Sequence, residues 1–149
     1  RRVDVTGPRT ITVEGPDAHG RKLFIGIPYE SSYTFSTFAI REGDSKGNAV
    51  TTGRLQLRRL TLNCSNTGFL HMYVTPKFRP TSTYTFTGRE LGHGTNIIGA
   101  IPLYTGTINF PILSLNTQVE VKVGSDSFLP FALVNASWEG FYNTRNARV

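Results

Sequence analysis

The chain has 149 residues, 38% of them hydrophobic and 17% charged, and a formal charge of +6. That length gives room for a real core, and the charge content argues against disorder. No apolar run approaches the roughly 18 residues of a membrane-spanning helix, and the basic excess favours phosphate or acidic surfaces as neighbours.

The chain begins at Arg1 rather than Met, so it is expected to be a fragment of a longer polypeptide or the product of N-terminal processing, and no charged-apolar-small leader is visible. Its 15 glycines and 8 prolines are spread out, as turn punctuation between many short strands. Arg9–Glu14 alternates with β-branched residues and predicts a first strand. Residues 1–20 are expected to be the start of this unit or the end of a preceding domain. Asp17–Gly20 predicts a turn, and Arg21–Tyr29 a second strand with Pro28 at its end or edge. Tyr33–Arg41 predicts a third, and Gly43–Asn48 a polar connection.

The richest segment is Gly53–Thr75. Leu55 and Leu57 alternate with polar neighbours, Arg58-Arg59 interrupts, and Leu60 and Leu62 resume. A phase slip of one residue in a half-buried strand is the signature of a β-bulge. Ser65-Asn66-Thr67-Gly68 carries turn chemistry, and Phe69–Val74 reads as a returning strand, so a hairpin is expected. Pro76–Pro80 breaks the pattern before a strand at Thr83–Thr87. Gly88–Gly99 holds four glycines but no Lys-Ser/Thr, no G-x-G-x-x-G spacing and no following amphipathic helix, so it is not read as a phosphate loop. Further strands are predicted at Gly106–Leu113, Thr117–Val123 and Phe131–Trp138. No helix of three turns and no repeat is found. The expected fold is all-β, an antiparallel sandwich or barrel-like arrangement, parsed most simply as one unit over residues 1–149.

The chemistry is sparse. Cys64 is the only cysteine, so no internal disulfide or thiolate zinc site can be built. His19 and His93 lie in Gly-rich turns, and His71 lies mid-strand. A Cys64–His71 dyad is conceivable within one hairpin, but nothing in the sequence orients it, and a small buried thiol is preferred. Asp44 and Asp126 read as turn residues, and the glycosylation-like matches at Asn63 and Asn135 fall inside strands. No catalytic, cofactor-binding or metal-ligating residue is expected, and no enzyme activity. The dispersed arginines form neither a basic run nor an RNA-binding platform. Ser137–Asn143 sets the lone Trp138 beside Phe141 and Tyr142, either as an end strand closing the core or as an interface anchor.

An ordered set of short segments carries a resemblance. It runs through Gly26, Pro28-Tyr29, Ser31, Tyr33, Phe35-Ser36 and Phe38, then Gly53–Arg59 (GRLQLRR) and Thr67-Gly68. It continues through Gly88-Arg89, Leu91-Gly92, Gly106-Thr107, Phe110-Pro111, Ser137–Gly140 (SWEG) and Tyr142. Over residues 21–149 this order is similar to the C-terminal part of the nozzle proteins, the tail tubular proteins B of T-seven-like short-tailed bacteriophages. The resemblance implies a virion building block of the phage tail, assembled in the host cytoplasm, in a β-rich region that follows a β-propeller. It implies a six-fold ring of copies below an adaptor or gatekeeper protein, continuing the DNA ejection channel. Tail fibres would dock on that ring, DNA in transit would touch it non-specifically, and no catalytic residue is carried over. Within it, Arg54, Arg58 and Arg59 are read as protein–protein contacts, because a channel that lets DNA slide should not grip phosphates. Two other readings remain. A receptor- or glycan-binding sandwich would use Tyr29, Tyr33, Tyr73, Tyr104 or Tyr142, and a β-fold hydrolase would need two facing carboxylates or a Cys–His pair.

Overall fold

The computed structural model describes residues 5–7, 10–11, 26–41, 47–50, 53–89, 91–92, 94, 96–97 and 100–144. Nine strands are described, with one 3-10 turn at Asn116–Gln118 and no α-helix among the described residues. The expected strands at Arg9–Glu14 and Arg21–Tyr29 lie largely outside the described residues. Within them β1 (Val5–Gly7) pairs with β2 (Thr10–Ile11) as a small ribbon.

Two antiparallel sheets make the body. One has the order β3-β8-β5-β6, built from Ser31–Thr34, Val119–Ser125, Leu70–Pro76 and Ser82–Phe86. The other has the order β7-β4-β9, built from Tyr104–Leu115, Gly53–Thr67 and Leu133–Thr144. Their inner faces share one core, so the all-β, sandwich-like expectation holds. Leu55, Leu57, Leu60, Leu62 and Cys64 of β4 and Phe110 and Ile112 of β7 meet Leu70, Met72 and Val74 of β5 and Val121 and Val123 of β8. Each fully buried Leu contributes about 2 kcal/mol by transfer from water.

The bulge is where the leucine phase predicted it. Leu57 pairs with Gly140 and Arg59 with Glu139, so Arg58 is an extra residue against β9. On the other flank Leu57 pairs with Ser114 and Arg59 with Pro111, so β7 loops out over the same point. That slip keeps Leu55 and Leu57 and then Leu60, Leu62 and Cys64 all facing inward.

The expected β4–β5 hairpin does not form. Both edges of β4 are occupied, by β7 and by β9, so β5 crosses to the opposite sheet. Ser65–Gly68 zips instead to residues 130–132. The Ser65 amide donates to the Ala132 carbonyl at 3.1 Å and the Gly68 amide to the Pro130 carbonyl at 2.9 Å. The Thr67 hydroxyl, fully buried, donates to Ala132 O at 3.1 Å and accepts from Ala132 N at 3.2 Å. Gly68 is required at this corner, because a Cβ there would meet the Leu129 side chain at 2.9 Å.

Other boundaries moved. The expected strand over Tyr33–Arg41 is regular only to Thr34, after which Phe35, Phe38 and Ile40 turn their side chains onto the core. The last strand runs past Trp138 to Thr144 because it pairs with the whole of β4.

Candidate interaction surface

The alternation that buries one face of β4 turns the other outward. Arg54, Gln56, Arg58, Arg59, Thr61 and Asn63 lie on the outer face of the three-stranded sheet. Cross-strand polar pairs tie this face together. The Thr61 hydroxyl donates to Asn109 Oδ1 at 2.7 Å, and the Thr107 hydroxyl to Asn63 Oδ1 at 2.7 Å. Asn63 Nδ2 donates to Asn135 Oδ1 at 2.5 Å. Asn63 and Asn135, the two glycosylation-like matches, are therefore partners in one ladder. Such cross-strand pairs stabilise the sheet and help to fix its register.

Near the bulge the chemistry changes. Arg59 Nε lies 2.7 Å from Glu139 Oε2, with both side chains half exposed. The Arg58 guanidinium sits over the Phe141 ring, 5.2 Å from its centroid. Phe141 is 56% exposed and Leu113, on the facing bulge of β7, is 64% exposed with φ 51. A non-glycine residue in that conformation is strained, and such strain clusters at functional positions. The two bulges thus gather an arginine stacked on an aromatic, an exposed leucine and an ion pair on one face. Exposed aromatic and arginine side chains of this kind are enriched at the centres of protein interfaces. The sequence singled out Arg54, Arg58 and Arg59 as contact residues, and the structure puts all three on one outer face. The sequence did not reveal Glu139 as the partner of Arg59, Phe141 beneath Arg58, or the exposure of Leu113.

Trp138 takes the first of its two expected roles. It is half buried, packs on the core, and meets Phe38 at 6.1 Å between ring centroids. The Trp138 and Phe38 rings, with Ala136 and Arg41, line an open cleft of about 270 Å³.

Cys64 and His71 are held apart by the crossover. Cys64 points into the core, where burial pushes its thiol above the ordinary 9.0 and a Thr67 hydrogen bond partly offsets the rise. His71 lies on the outer face of the four-stranded sheet, its Nδ1 3.0 Å from the Thr85 hydroxyl and its Nε2 3.6 Å from Asp126. The imagined dyad is not assembled. Among the described residues no three His, Cys, Asp or Glu side chains gather in a metal-holding group. Nor is any described helix long and apolar enough to cross a membrane. The five tyrosines of the glycan reading are scattered. Tyr29 donates to the Leu129 carbonyl at 3.0 Å, Tyr104 to the Thr107 carbonyl at 3.1 Å, and Tyr142 packs on the core. Tyr33 stands on edge strand β3, and Tyr73 stands beside His71, 5.8 Å between ring centroids.

Comparison with known proteins matches residues 2–149 to the family model of the bacteriophage nozzle protein. The chain is also 33% identical over 132 residues to tail tubular protein gp12 of Escherichia phage T7. That alignment covers 87% of this chain and 16% of the relative, so the chain spans about one sixth of that protein's length.

Proposed function

We infer what this chain does from one premise: it belongs to the bacteriophage nozzle protein family. It is a structural component of a phage tail, carried in the virion and assembled in the host. The family is a structural one rather than an enzyme family.

The finer reading is ours. The chain is one β-rich unit, residues 1–149, of a longer nozzle protein whose copies form a six-fold ring. The ring lies below an adaptor protein, continues the DNA ejection channel, and offers docking surfaces to tail fibres. The shared core of the two sheets supports the reading of one unit. The observation that carries the docking role is the Arg58–Phe141–Leu113 face on the three-stranded sheet. Its arginines are engaged with an aromatic ring and a carboxylate, an arrangement suited to a protein neighbour rather than to passing phosphates.

Mass by light scattering tests this on the full-length parent and on the present chain. A hexameric parent is the expected result, and a monomeric fragment beside it would place the main ring contacts in the other five sixths. A monomeric or trimeric parent would contradict the ring. Arg58→Glu is the cleaner surface probe, because Arg59→Glu also removes the ion pair with Glu139.

A further inference from the structure

The β5–β6 hairpin ends in Lys77-Phe78-Arg79-Pro80, which neither the core nor the proposed docking face uses. Three contacts fasten this tip. The Thr75 and Thr81 hydroxyls lie 2.9 Å apart across its neck. The Lys77 amide donates to the Gln118 carbonyl at 2.7 Å, and the Arg79 amide to the Pro76 carbonyl at 3.2 Å. Yet Phe78 is held at φ 118 with its side chain exposed, at 90%. A solvated turn at that φ calls for glycine. Phenylalanine there is costly twice over, in backbone strain and in apolar surface left in water.

Charge defines what the ring can meet. Lys77 Nζ sits over the Phe78 ring, 5.7 Å from its centroid, and Arg79 is exposed beside it. Neither cation is in an ion pair among the described residues. Stacking on bases needs unpaired, splayed nucleotides and a cationic groove that tracks the strand, and one ring with two cations on a hairpin tip forms no such groove. One ring buries too little area to hold a membrane surface. A pocket on a protein, apolar inside and rimmed by carboxylates, matches both the ring and its flanking charges. Among the described residues, the clefts at Trp138 and at Tyr142 have no carboxylate in their linings and the one beside Lys77 has only Glu120, so none of these three is such a pocket.

We propose that the Lys77–Arg79 tip is a docking knob that inserts Phe78 into an acidic-rimmed apolar pocket of a different polypeptide in the tail. The proposal rests on the chain being an assembly component. The test is site-directed photo-crosslinking in assembled particles, with a benzophenone side chain replacing Phe78 in the full-length protein. Crosslinking to a different polypeptide, at a segment carrying Asp or Glu, is the expected result. Crosslinks confined to copies of the same protein, to DNA or to lipid, or no crosslink in particles that contain the protein, would overturn it. Failure of the unsubstituted protein to enter particles would instead overturn its role as a tail component.

Phe78→Gly separates docking from folding. It should raise the melting temperature by about 3 °C, because glycine relaxes the strain, while lowering incorporation of the partner at least tenfold. Lys77→Glu with Arg79→Glu should give the same loss with no rise in melting temperature. A Phe78→Gly protein that assembles normally would refute the knob.

Discussion

The β7-β4-β9 sheet is made of strands of 12, 15 and 12 residues, whereas β3-β8-β5-β6 uses strands of 4, 7, 7 and 5. Both bury one face in the same core. On their outer faces they part company. The long sheet carries side-chain ladders, a double bulge and a stacked arginine. The short sheet carries the Phe69–His71–Tyr73 ring row and projects the hairpin tip. Length gives the first sheet rigidity through many consecutive pairs. The shorter strands of the second leave a four-residue edge strand and a projecting hairpin tip. A broad, laddered face and a projecting knob serve different kinds of contact.

Substitutions can break that contrast if it is wrong. Leu60→Ala, at a fully buried site in the middle of the long sheet, should cost about 3–4 kcal/mol in chemical denaturation. A loss under about 1 kcal/mol would mean that the core is not organised around β4. Two glycines sharpen the comparison. A Cβ at Gly140 would meet the Gln56 carbonyl oxygen at 2.5 Å, deep in the long ladder, and Gly140→Ala should cost about 2 kcal/mol or more. A Cβ at Gly124 would meet the Ser31 carbonyl oxygen at 2.8 Å, but β3 is a four-residue edge strand that can shift aside. Gly124→Ala should therefore cost less than about 1 kcal/mol. Equal losses would remove the distinction between a stiff and a yielding sheet.

Much of this architecture was legible in the sequence. The leucine phase of β4 placed the bulge at the Arg58-Arg59 pair, because period-two burial is a local property. The partners of β4 were not legible. Ser65–Gly68 has turn chemistry, yet residues 130–132, more than sixty positions away, claim its hydrogen bonds. Glu139 and Phe141 were seen only as parts of a C-terminal aromatic segment. Their pairing with Arg59 and Arg58 depends on register, which no short window carries. Phe78 gave no signal, since its oddity is a backbone angle.

Smaller effects test finer points. The raised Cys64 pKa means that folding favours the neutral thiol. Stability from this group is then full below the ordinary thiol value of 9.0 and is lost as pH rises through the higher folded value. Cys64→Ser should flatten that alkaline decline, and thiol alkylation at pH 8 should require unfolding. The Arg59–Glu139 pair is half exposed, so a double-mutant cycle should give only about 0.5 kcal/mol of coupling, shrinking with salt. Coupling above about 2 kcal/mol would show that the pair holds the bulge rather than decorates it.

The central claim, that this chain is a tail building block presenting its long sheet to a protein neighbour, is tested most directly by a reconstruction of the intact phage tail. The account predicts this domain in repeated copies around the channel axis, with Arg58, Phe141 and Leu113 covered by another chain. A domain absent from the tail, or one whose Arg58–Phe141 face is open to solvent, would contradict it.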